Sequence, residues 1–288
     1  MMEIVLQVLI SGIFIGLIFS LVAVGLNIIY GVMDIVNFAH GEFLMLSMYI
    51  SYWIFQLTGI GPLISLPVSV FAIFLLGVAC YYVLISRIMS ASMLIQIFAT
   101  FGLMLFLQNV AFFFFSSDYR TLRDPLVAGK RIILFDSVYL GMPQLVAGVG
   151  ALAVTGIVFW IVNRTEFGRM LKATAENKEA AALMGINTER IFALAWGLGG
   201  ACAGAAGAFL ATFYPIFPQV GSVFCMTAFV VVVLGGFGSI LGAFIAGIIV
   251  GVVQVSGGIV LEPAYKLIFV YGLYLLVVFI RPKGLLGK

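Results

Sequence analysis

The sequence predicts an all-α membrane protein, a polytopic bundle of about eight or nine transmembrane helices. Hydrophobic residues make up 64% of the 288 residues and charged residues only 9%, whereas about a quarter of an average soluble domain is charged. Apolar runs of membrane-spanning length recur from one end of the chain to the other, and a transmembrane helix needs about 20 such residues. Because the connections are short, we expect one transmembrane domain covering residues 1–288.

Nine apolar runs are the candidate spans. They cover residues 4–29, 33–57, 62–85, 92–115, 143–163, 190–212, 222–234, 240–258 and 264–280. The run at 222–234 is short, because a helix of that length rises only about 20 Å and the hydrocarbon core of a bilayer is about 30 Å thick. We therefore expect one or two broken or re-entrant helices.

The distribution of Lys and Arg predicts the orientation, since short basic loops stay in the cytoplasm. With nine spans, Arg87, the polar stretch at 164–190 and the basic C-terminal end fall on one side, which places the N-terminus outside. The loop at 116–142 is also basic and departs from this rule. No basic residue precedes the first run, which argues against a cleavable signal peptide.

Four pairs of glycines occur at four-residue spacing in or directly beside three of the runs. The pairs are Gly12/Gly16, Gly200/Gly204, Gly238/Gly242 and Gly247/Gly251. Small residues at this spacing allow two helices to approach closely in lipid. We expect them to form helix–helix contacts inside the bundle or with a second subunit.

The stretch at 164–190 holds nine of the 25 charged side chains in an otherwise apolar chain. Arg169–Met184 predicts a helix of about four turns that ends at Gly185, and Asn187 or Thr188 is placed to cap the next helix. The whole polar helix, about 166–186, has to contact water or a soluble partner. The candidate contact residues are Arg169, Lys172, Glu176, Glu179, Ala180 and Gly185.

The spacing Glu179-Ala180-Ala181-x-x-x-Gly185 resembles the cytoplasmic loop of ABC importer permeases that docks on the ATP-hydrolysing subunit. A short helix held between two spans is suited to transmit a partner's rigid-body movement to the bundle. Taken alone, the same stretch is also compatible with a loop helix that is merely solvated.

A second group of polar residues lies inside an apolar stretch, at Asp34, Asn37, His40 and Glu42. Glycine-interrupted helices are where transporters place gates and substrate groups. One interpretation is that these residues line or gate a pathway, with Glu42 or Asp34 meeting a substrate ammonium; the other is that they cap a helix turn at the membrane surface. If the stretch is helical, Asp34, Asn37 and Gly41 share a face. Further pathway candidates near the broken segments are Asn27, Thr227, Gly235 and Gly236. We also expect Gly235 and Gly236 to allow a sharp re-entrant turn whose backbone faces the pathway.

Several segments, taken together and in order, resemble LivH-type permeases of the branched-chain amino-acid ABC importer family. They are residues 25–42 with Asn37-Phe-Ala-His-Gly-Glu42, Phe167-Gly-Arg-Met-Leu-Lys-Ala, Gly185-Ile-Asn187, residues 230–242 and the closing Arg281-Pro-Lys-Gly-Leu-Leu-Gly287. The resemblance implies a multi-pass subunit of the bacterial inner membrane. Its implied partners are a homologous second permease, two cytoplasmic ATPase subunits, a periplasmic or lipid-anchored substrate-binding protein and the surrounding membrane lipid.

Composition and motifs exclude other kinds of chemistry. The chain has no G-x4-G-K-[ST] phosphate loop, so we expect ATP and Mg only in partner subunits, no cofactor in this chain and no enzymatic activity. One His and three scattered Cys argue against a metal site or a catalytic residue. A net charge of +3 gives no reason to expect nucleic acid binding.

Rival functions remain open. The leading hypothesis, which the resemblance implies, is an ABC importer permease that translocates branched-chain or related amino acids and is driven by separate ATPase subunits. Its most serious rival within the class is a permease of the same family for urea, short amides or another small polar solute, because the visible motifs concern scaffold and coupling. A stand-alone channel or secondary transporter fits the composition but leaves the polar helix unexplained. An intramembrane enzyme would need a nucleophile–base pair or a metal cluster.

Overall fold

The computed structural model describes residues 2–122, 127–134, 138–260 and 265–287, and it confirms a helical membrane bundle. Its elements are α1 (Met2–Met33), α2 (His40–Thr58), α3 (Pro62–Ile88, with a π-helical turn at Tyr81–Ile85), α4 (Met93–Phe115), β1 (Arg131–Leu134), β2 (Val138–Gly141), α5 (Met142–Arg164), α6 (Glu166–Glu176), α7 (Lys178–Leu183), α8 (Thr188–Leu210), α9 (Val220–Gly235), α10 (Ile240–Val260) and α11 (Lys266–Ile280). Part of the loop at 116–142, including Arg123, Asp124, Pro125 and Asp136, lies outside the described residues, as does Lys288.

Within the described residues, six helices are long and apolar enough to cross a membrane, namely α1, α3, α4, α5, α8 and α10. Helices α9 and α11 are apolar but shorter, at 16 and 15 residues. Helix α2 has 19 residues and begins with His40-Gly41-Glu42. It is not among these six helices. The total of eight or nine spans therefore stays a prediction, while the shortness of the span near 222–234 is confirmed.

Helices α1 and α10 pack along two glycine pairs. A Cβ atom added at Gly12 would lie 2.6 Å from Cα of Val252, and one added at Gly16 would lie 2.7 Å from Cα of Ile248. On the facing helix, Gly247 and Gly251 are equally close to the backbone of α1. The predicted role of these pairs in close helix packing is confirmed.

Helix α8 forms the centre of the bundle, with most of its residues buried between Ile191 and Leu210. It packs against α1, α2 and α3. Gly200 and Gly204 face Ile73 on α3, and further along the same pair of helices Gly77 faces the carbonyl of Trp196. The backbone contact of α3 and α8 therefore extends over several turns.

The described residues divide between two ends of the bundle. One end, called the coupling end below, contains the C-terminus of α1, helices α6 and α7, the turn at 236–239 and the tail at 281–287. These elements line two neighbouring clefts or form hydrogen bonds with each other. The opposite end contains the β1–β2 hairpin, which Gln7 holds through hydrogen bonds to Tyr139. This arrangement puts Arg87, the polar stretch and the basic tail at the same end, as predicted. Which end faces the cytoplasm stays a prediction.

Arg120, one of the basic residues that broke the loop-charge rule, is bound at the opposite end. Its guanidinium lies 5.3 Å from the ring centroid of Tyr52 and 5.4 Å from that of Trp53. It also donates a hydrogen bond to the carbonyl of Phe115 at 2.6 Å, and its backbone bridges to Ile216. Cation–π attraction of this kind holds the guanidinium against the two aromatic rings.

We expect Gly16→Ala to lower the midpoint of thermal unfolding of the detergent-purified protein. The added methyl group would collide with the backbone of α10, and overpacking of this kind costs about 1–3 kcal/mol. The matched control is Gly102→Ala on α4, where an added Cβ meets nothing within 4 Å. A Gly16→Ala protein that melts like the control would contradict the packing role.

Candidate translocation and coupling sites

The predicted interruption near residues 31–42 is confirmed, and it is a non-helical segment between α1 and α2. Helix α1 ends at Met33, and Asp34 follows in the left-handed region, with φ of 55°. Residues 34–39 are not helical. The expectation that Asp34, Asn37 and Gly41 share a helical face is therefore wrong, because the chain reverses direction at Asp34 instead of continuing the helix.

Side chains from two other helices bind the carbonyls of this segment. Thr100 Oγ1 on α4 donates to the carbonyl of Val36 at 2.9 Å. Cys225 Sγ on α9 donates to the carbonyl of Phe38 at 3.3 Å. The segment is thus enclosed between α4 and α9, which accounts for the burial of non-helical backbone in an apolar bundle.

Asn37 and His40 are fully buried at the entry to α2. Asn37 Oδ1 accepts a hydrogen bond from the backbone N–H of Ala39 at 3.0 Å, while its Nδ2 has no partner. His40 Nε2 lies 3.0 Å from the carbonyl of Val22 in α1, so Nε2 carries the hydrogen and donates it. Nδ1 of the same ring has no partner. These two residues position the start of α2 and leave two polar atoms unpaired.

Glu42 belongs to a polar row that crosses three helices. Its Oε1 accepts a hydrogen bond from Ser222 Oγ on α9 at 3.3 Å, and that hydroxyl accepts one from Gln108 Nε2 on α4 at 3.4 Å. Glu42 is fully buried and its Oε2 has no partner. Ser222 and Gln108 are half-buried, so the row runs from a buried carboxyl group towards the surface between α4 and α9.

Two glycines make this row possible. Gly41 and Gly221 lie where α2 crosses the first turn of α9, and a Cβ added to either would collide with the backbone of the other. A Cβ at Gly221 would also lie 2.7 Å from Glu42 Oε2. The absence of a side chain at Gly221 thus leaves the space that the carboxyl group occupies.

Asn27 binds the turn between α9 and α10. Its Nδ2 donates to the carbonyls of Gly236 at 3.2 Å and Ser239 at 2.8 Å, and its Oδ1 accepts from the N–H of Gly238 at 2.6 Å. Gly236 has φ of 101° and Gly238 has φ of 75°, values that favour glycine. The expected sharp turn at Gly235–Gly236 is confirmed. Asn27 has the contacts of a positioning residue, and its pathway role stays a prediction.

The C-terminal tail covers the end of α9. The N–H groups of Leu285 and Leu286 donate to the carbonyls of Leu234 and Gly235 at 2.8 and 3.0 Å. Gly236 packs directly against Gly287. The backbone of Gly235 and Gly236 is therefore in contact with the tail at the coupling end, and a pathway role for the two glycines stays a prediction.

Thr227 lies apart from the other pathway candidates. Its Oγ1 donates to the carbonyl of Val223 at 3.1 Å, within α9. Its side chain lines an apolar cavity on the α1, α10 and α11 side of α9, whereas Ser222 and Cys225 face the segment at 34–42. The structure thus brings together Asn37, His40 and Glu42 and leaves Thr227 on another face.

The polar stretch forms two helices, α6 and α7, where the sequence predicted one. Asn177 is extended, with φ of −156°, and its Oδ1 accepts hydrogen bonds from the N–H groups of Glu179 and Ala180 at 3.0 and 2.9 Å. Asn is a strong N-cap residue, so its side chain begins a new helix there instead of continuing the first. The single helix predicted over Arg169–Met184 is wrong for this reason.

Both ends of this stretch follow the prediction. Gly185 has φ of 85°, its N–H donates to Ala182 and the N–H of Ile186 donates to Ala181, which is the hydrogen-bond pattern of a glycine-terminated helix. Asn187 Oδ1 then caps α8 by accepting from the N–H of Arg190 at 3.0 Å. All six candidate contact residues, Arg169, Lys172, Glu176, Glu179, Ala180 and Gly185, are exposed.

Two apolar side chains at the tip of α7 were not among the predicted contact residues. Leu183 is 89% exposed and Met184 is 83% exposed, at the end of the bundle that also carries the charged helices. Their signal in the sequence was an apolar pair directly before Gly185 in a charged stretch. Ser222 and Gln108 were also missed as site residues, because only the fold brings them to Glu42.

A polar cleft at the coupling end connects the two candidate sites. It has a volume of about 400 Å³. Asp34, at the start of the non-helical segment, lines it together with Glu176, Asn177 and Lys178 at the α6–α7 junction and with Phe192 of α8. Asp34 is exposed, so it faces the polar helices and is separate from the buried Glu42.

The comparisons with known proteins identify the family. The model of the branched-chain amino acid transport system permease component matches residues 8–278. This chain belongs to that family. The high-affinity branched-chain amino acid transport system permease protein BraD of Pseudomonas aeruginosa is 31% identical over 98% of this chain and 96% of its own length. LivH of Escherichia coli has the same identity and the same coverage.

A relative that matches over a shorter stretch is named for a different cargo. The autoinducer 2 import system permease protein LsrC of Escherichia coli is 35% identical over 47% of this chain and 42% of its own length. No solved structure matches the chain. Family membership and the apolar helices make the chain a multi-pass inner-membrane permease component of an ABC transporter. Among the described residues, no three His, Cys, Asp or Glu side chains are grouped to hold a metal ion.

We expect Asn27→Ala to lower the thermal midpoint of the purified protein more than Asn109→Ala does. Loss of the Asn27 amide leaves buried backbone groups unpaired, at about 1–3 kcal/mol for each group. Asn109 is the matched control, because it is exposed and its amide donates to the carbonyl of Leu105 in its own helix. Equal midpoints for the two variants would show that the turn does not depend on Asn27.

Proposed function

We propose that this chain is a translocating subunit of an ABC importer for branched-chain or related amino acids. In this proposal it pairs with a homologous permease, two cytoplasmic ATPase subunits bind its coupling end, and a substrate-binding protein delivers the amino acid to the opposite end. ATP and Mg belong to the ATPase subunits. The single observation that carries the proposal is the exposed tip of α7, an apolar pair on a charged segment in a chain of this family.

Docking on a soluble partner explains the chemistry of this tip. Leu183 and Met184 extend from the coupling end, where neither core nor lipid covers them in the proposed orientation. Large apolar side chains surrounded by charged residues are typical of protein–protein contacts. Arg169, Lys172, Glu176 and Glu179 would form the polar rim of the contact, and Ala180 and Gly185 would let the partner approach closely.

The connections of α6 and α7 suit them to transmit force. Thr165 caps α6 directly after α5, and Asn187 caps α8 directly after the polar stretch. Gly168 packs against the carbonyls of Ile161 and Val162 at the end of α5. A displacement of α7 would therefore move both neighbouring spans, in the manner of a rigid-body switch. Asp34 and the α6–α7 junction line the same cleft. The same movement would therefore also displace the segment at 34–39.

We place the pathway at the polar row of Glu42, Ser222 and Gln108. The row ends between α4 and α9, and lipid cannot satisfy polar groups at such a surface. A second permease that covers this surface would enclose the row in a shared pathway. The carboxyl group of Glu42 then has an unpaired oxygen for a substrate ammonium, while Asn37 and His40 hold the start of α2 in position.

A permease for another small polar solute is the second candidate. The relative named for autoinducer 2 import supports it, because part of this chain is similar to a permease that is named for a different cargo. The groups of the polar row bind an ammonium but would also accept hydrogen bonds from amides. A binding assay on the cognate substrate-binding protein separates the two candidates, since leucine binding favours the first and its absence the second.

We expect the double variant Leu183→Asp, Met184→Asp to lower ATP-driven uptake by the reconstituted complex about tenfold or more, because truncation of buried interface anchors typically costs more than 1 kcal/mol each. Co-purification of the ATPase subunits should fall in parallel. Leu183→Met is the conservative control and should retain uptake. Normal uptake and normal ATPase recovery in the double variant would remove the docking role.

We expect Glu42→Gln to lower the initial rate of leucine uptake about tenfold, because a hydrogen bond to a charged group contributes about 1.5–3 kcal/mol. Glutamine retains the size of the side chain and an acceptor for Ser222, so assembly should be normal. Ser256→Ala is the matched control, since that hydroxyl donates to the carbonyl of Val252 in its own helix. A Glu42→Gln complex with wild-type rates would contradict the role of Glu42 in substrate binding and would leave the row a structural role.

A further inference from the structure

An apolar cavity lies beside α9, on the face opposite to the Glu42 row. Side chains from α1, α8, α9 and α11, among them Phe19, Leu210, Phe224 and Leu267, form its walls. Its volume is about 90 Å³. An apolar cavity of about 150 Å³ accommodates benzene, so this one is the size of a branched aliphatic group of about four carbons.

The cavity also has a polar rim of defined composition. Gln254 on α10 and Lys266 at the start of α11 line it together with Thr227. The Oε1 atom of Gln254 is buried and has no hydrogen-bond partner. Buried acceptors are almost always paired, so the unpaired oxygen points to a donor supplied by a ligand. Lys266 is the one cationic residue of the lining.

We propose that this cavity is a binding site for an aliphatic amino acid, separated by α9 from the pathway at the Glu42 row. The proposal rests on the proposed function and specifies a second substrate site. The branched side chain occupies the apolar cavity, the ammonium donates to Gln254 Oε1, and the carboxylate pairs with the Lys266 ammonium. A zwitterion with an apolar side chain matches all three features, and carboxylate–ammonium hydrogen bonds are among the strong ones.

A membrane lipid is the rival occupant, and the size of the cavity disfavours it. An acyl chain by itself has no donor for Gln254 Oε1. A phospholipid with an ethanolamine or glycerol head group would supply both a donor and an anionic phosphate, but a cavity of about 90 Å³ holds only a group of about four carbons and not an acyl chain. An aliphatic amino acid has the donor, the anionic group and an apolar part of the right size.

The position of the cavity on α9 links it to the pathway proposed at the Glu42 row. Val223 and Thr227 line the cavity, and Ser222, next to Val223, belongs to the Glu42 row. The first two turns of α9 therefore border both sites. Helix α9 is short and ends in the glycine turn at 236–239, so a small movement of this helix would affect both.

The test is saturation-transfer NMR of L-leucine on the purified full complex, without substrate-binding protein or nucleotide. We expect saturation to reach the leucine methyl groups most strongly. Leucine should bind better than 4-methylpentanoate, which lacks the ammonium, and better than 3-methylbutylamine, which lacks the carboxylate. Gln254→Leu should weaken the leucine signal to the part that the Glu42 row contributes, and it should raise the thermal midpoint, because it removes an unpaired buried acceptor.

A cavity-filling variant tests specificity. Thr227→Met should lower the ratio of leucine uptake to alanine uptake about tenfold, since one or two methylene groups in an apolar pocket discriminate by about this factor. Val149→Met, at an exposed position on α5, is the matched control and should leave the ratio unchanged.

The outcomes separate this inference from the proposed function. If the wild-type complex transports leucine but Gln254→Leu and Thr227→Met leave binding and the uptake ratio unchanged, only the cavity site is overturned. A phospholipid that co-purifies and is lost in Lys266→Gln would also overturn it, in favour of a lipid site. A wild-type complex that takes up no amino acid would contradict the proposed function itself.

Discussion

The structure depends on one constraint, which is that backbone polar groups inside a membrane protein have to find partners within the protein. Helices satisfy it locally, but the segment at 34–39 and the turn at 236–239 do not. The hydrogen-bond partners of both segments come from distant parts of the chain. Thr100 and Cys225 bind carbonyls of the first, and Asn27 and the C-terminal tail bind the second. These contacts determine where the chain leaves the helical pattern and which helices lie beside the interruption.

Close glycine packing leaves little freedom in the rest of the bundle. Helix α1 is held against α10 by Gly12, Gly16, Gly247 and Gly251, and α8 is held against α3 by Gly77, Gly200 and Gly204. By contrast, large apolar residues of α4 such as Phe98, Phe106 and Phe113 are exposed. The tightly packed helices form one side of the bundle, and the row of Glu42, Ser222 and Gln108 opens at the less covered side. In the proposed transporter, a second permease would cover that side.

The polar stretch and the broken segment are close neighbours, although they are more than a hundred residues apart in the sequence. Asp34 and the α6–α7 junction line the same cleft, and six residues further along the chain α2 begins at the buried His40. Asn177 makes this junction a corner, because its side chain starts α7 in a new direction. The proposed coupling movement therefore has a short route from α7 to the segment at 34–39, with Asp34 at its start.

The sequence by itself determined the fold class, the family and the places where helices are interrupted. Apolar runs, glycine spacing and capping residues act locally, so Gly185, Asn187 and the turn at Gly235–Gly236 were predicted correctly. It did not determine how the interruptions fold. A single helix was expected where Asn177 begins a second one, and a shared helical face was expected where Asp34 reverses the chain. Only the tertiary structure brought Ser222 and Gln108 to Glu42 and separated Thr227 from them, because contacts across α2, α4 and α9 depend on helix packing, which no local pattern encodes.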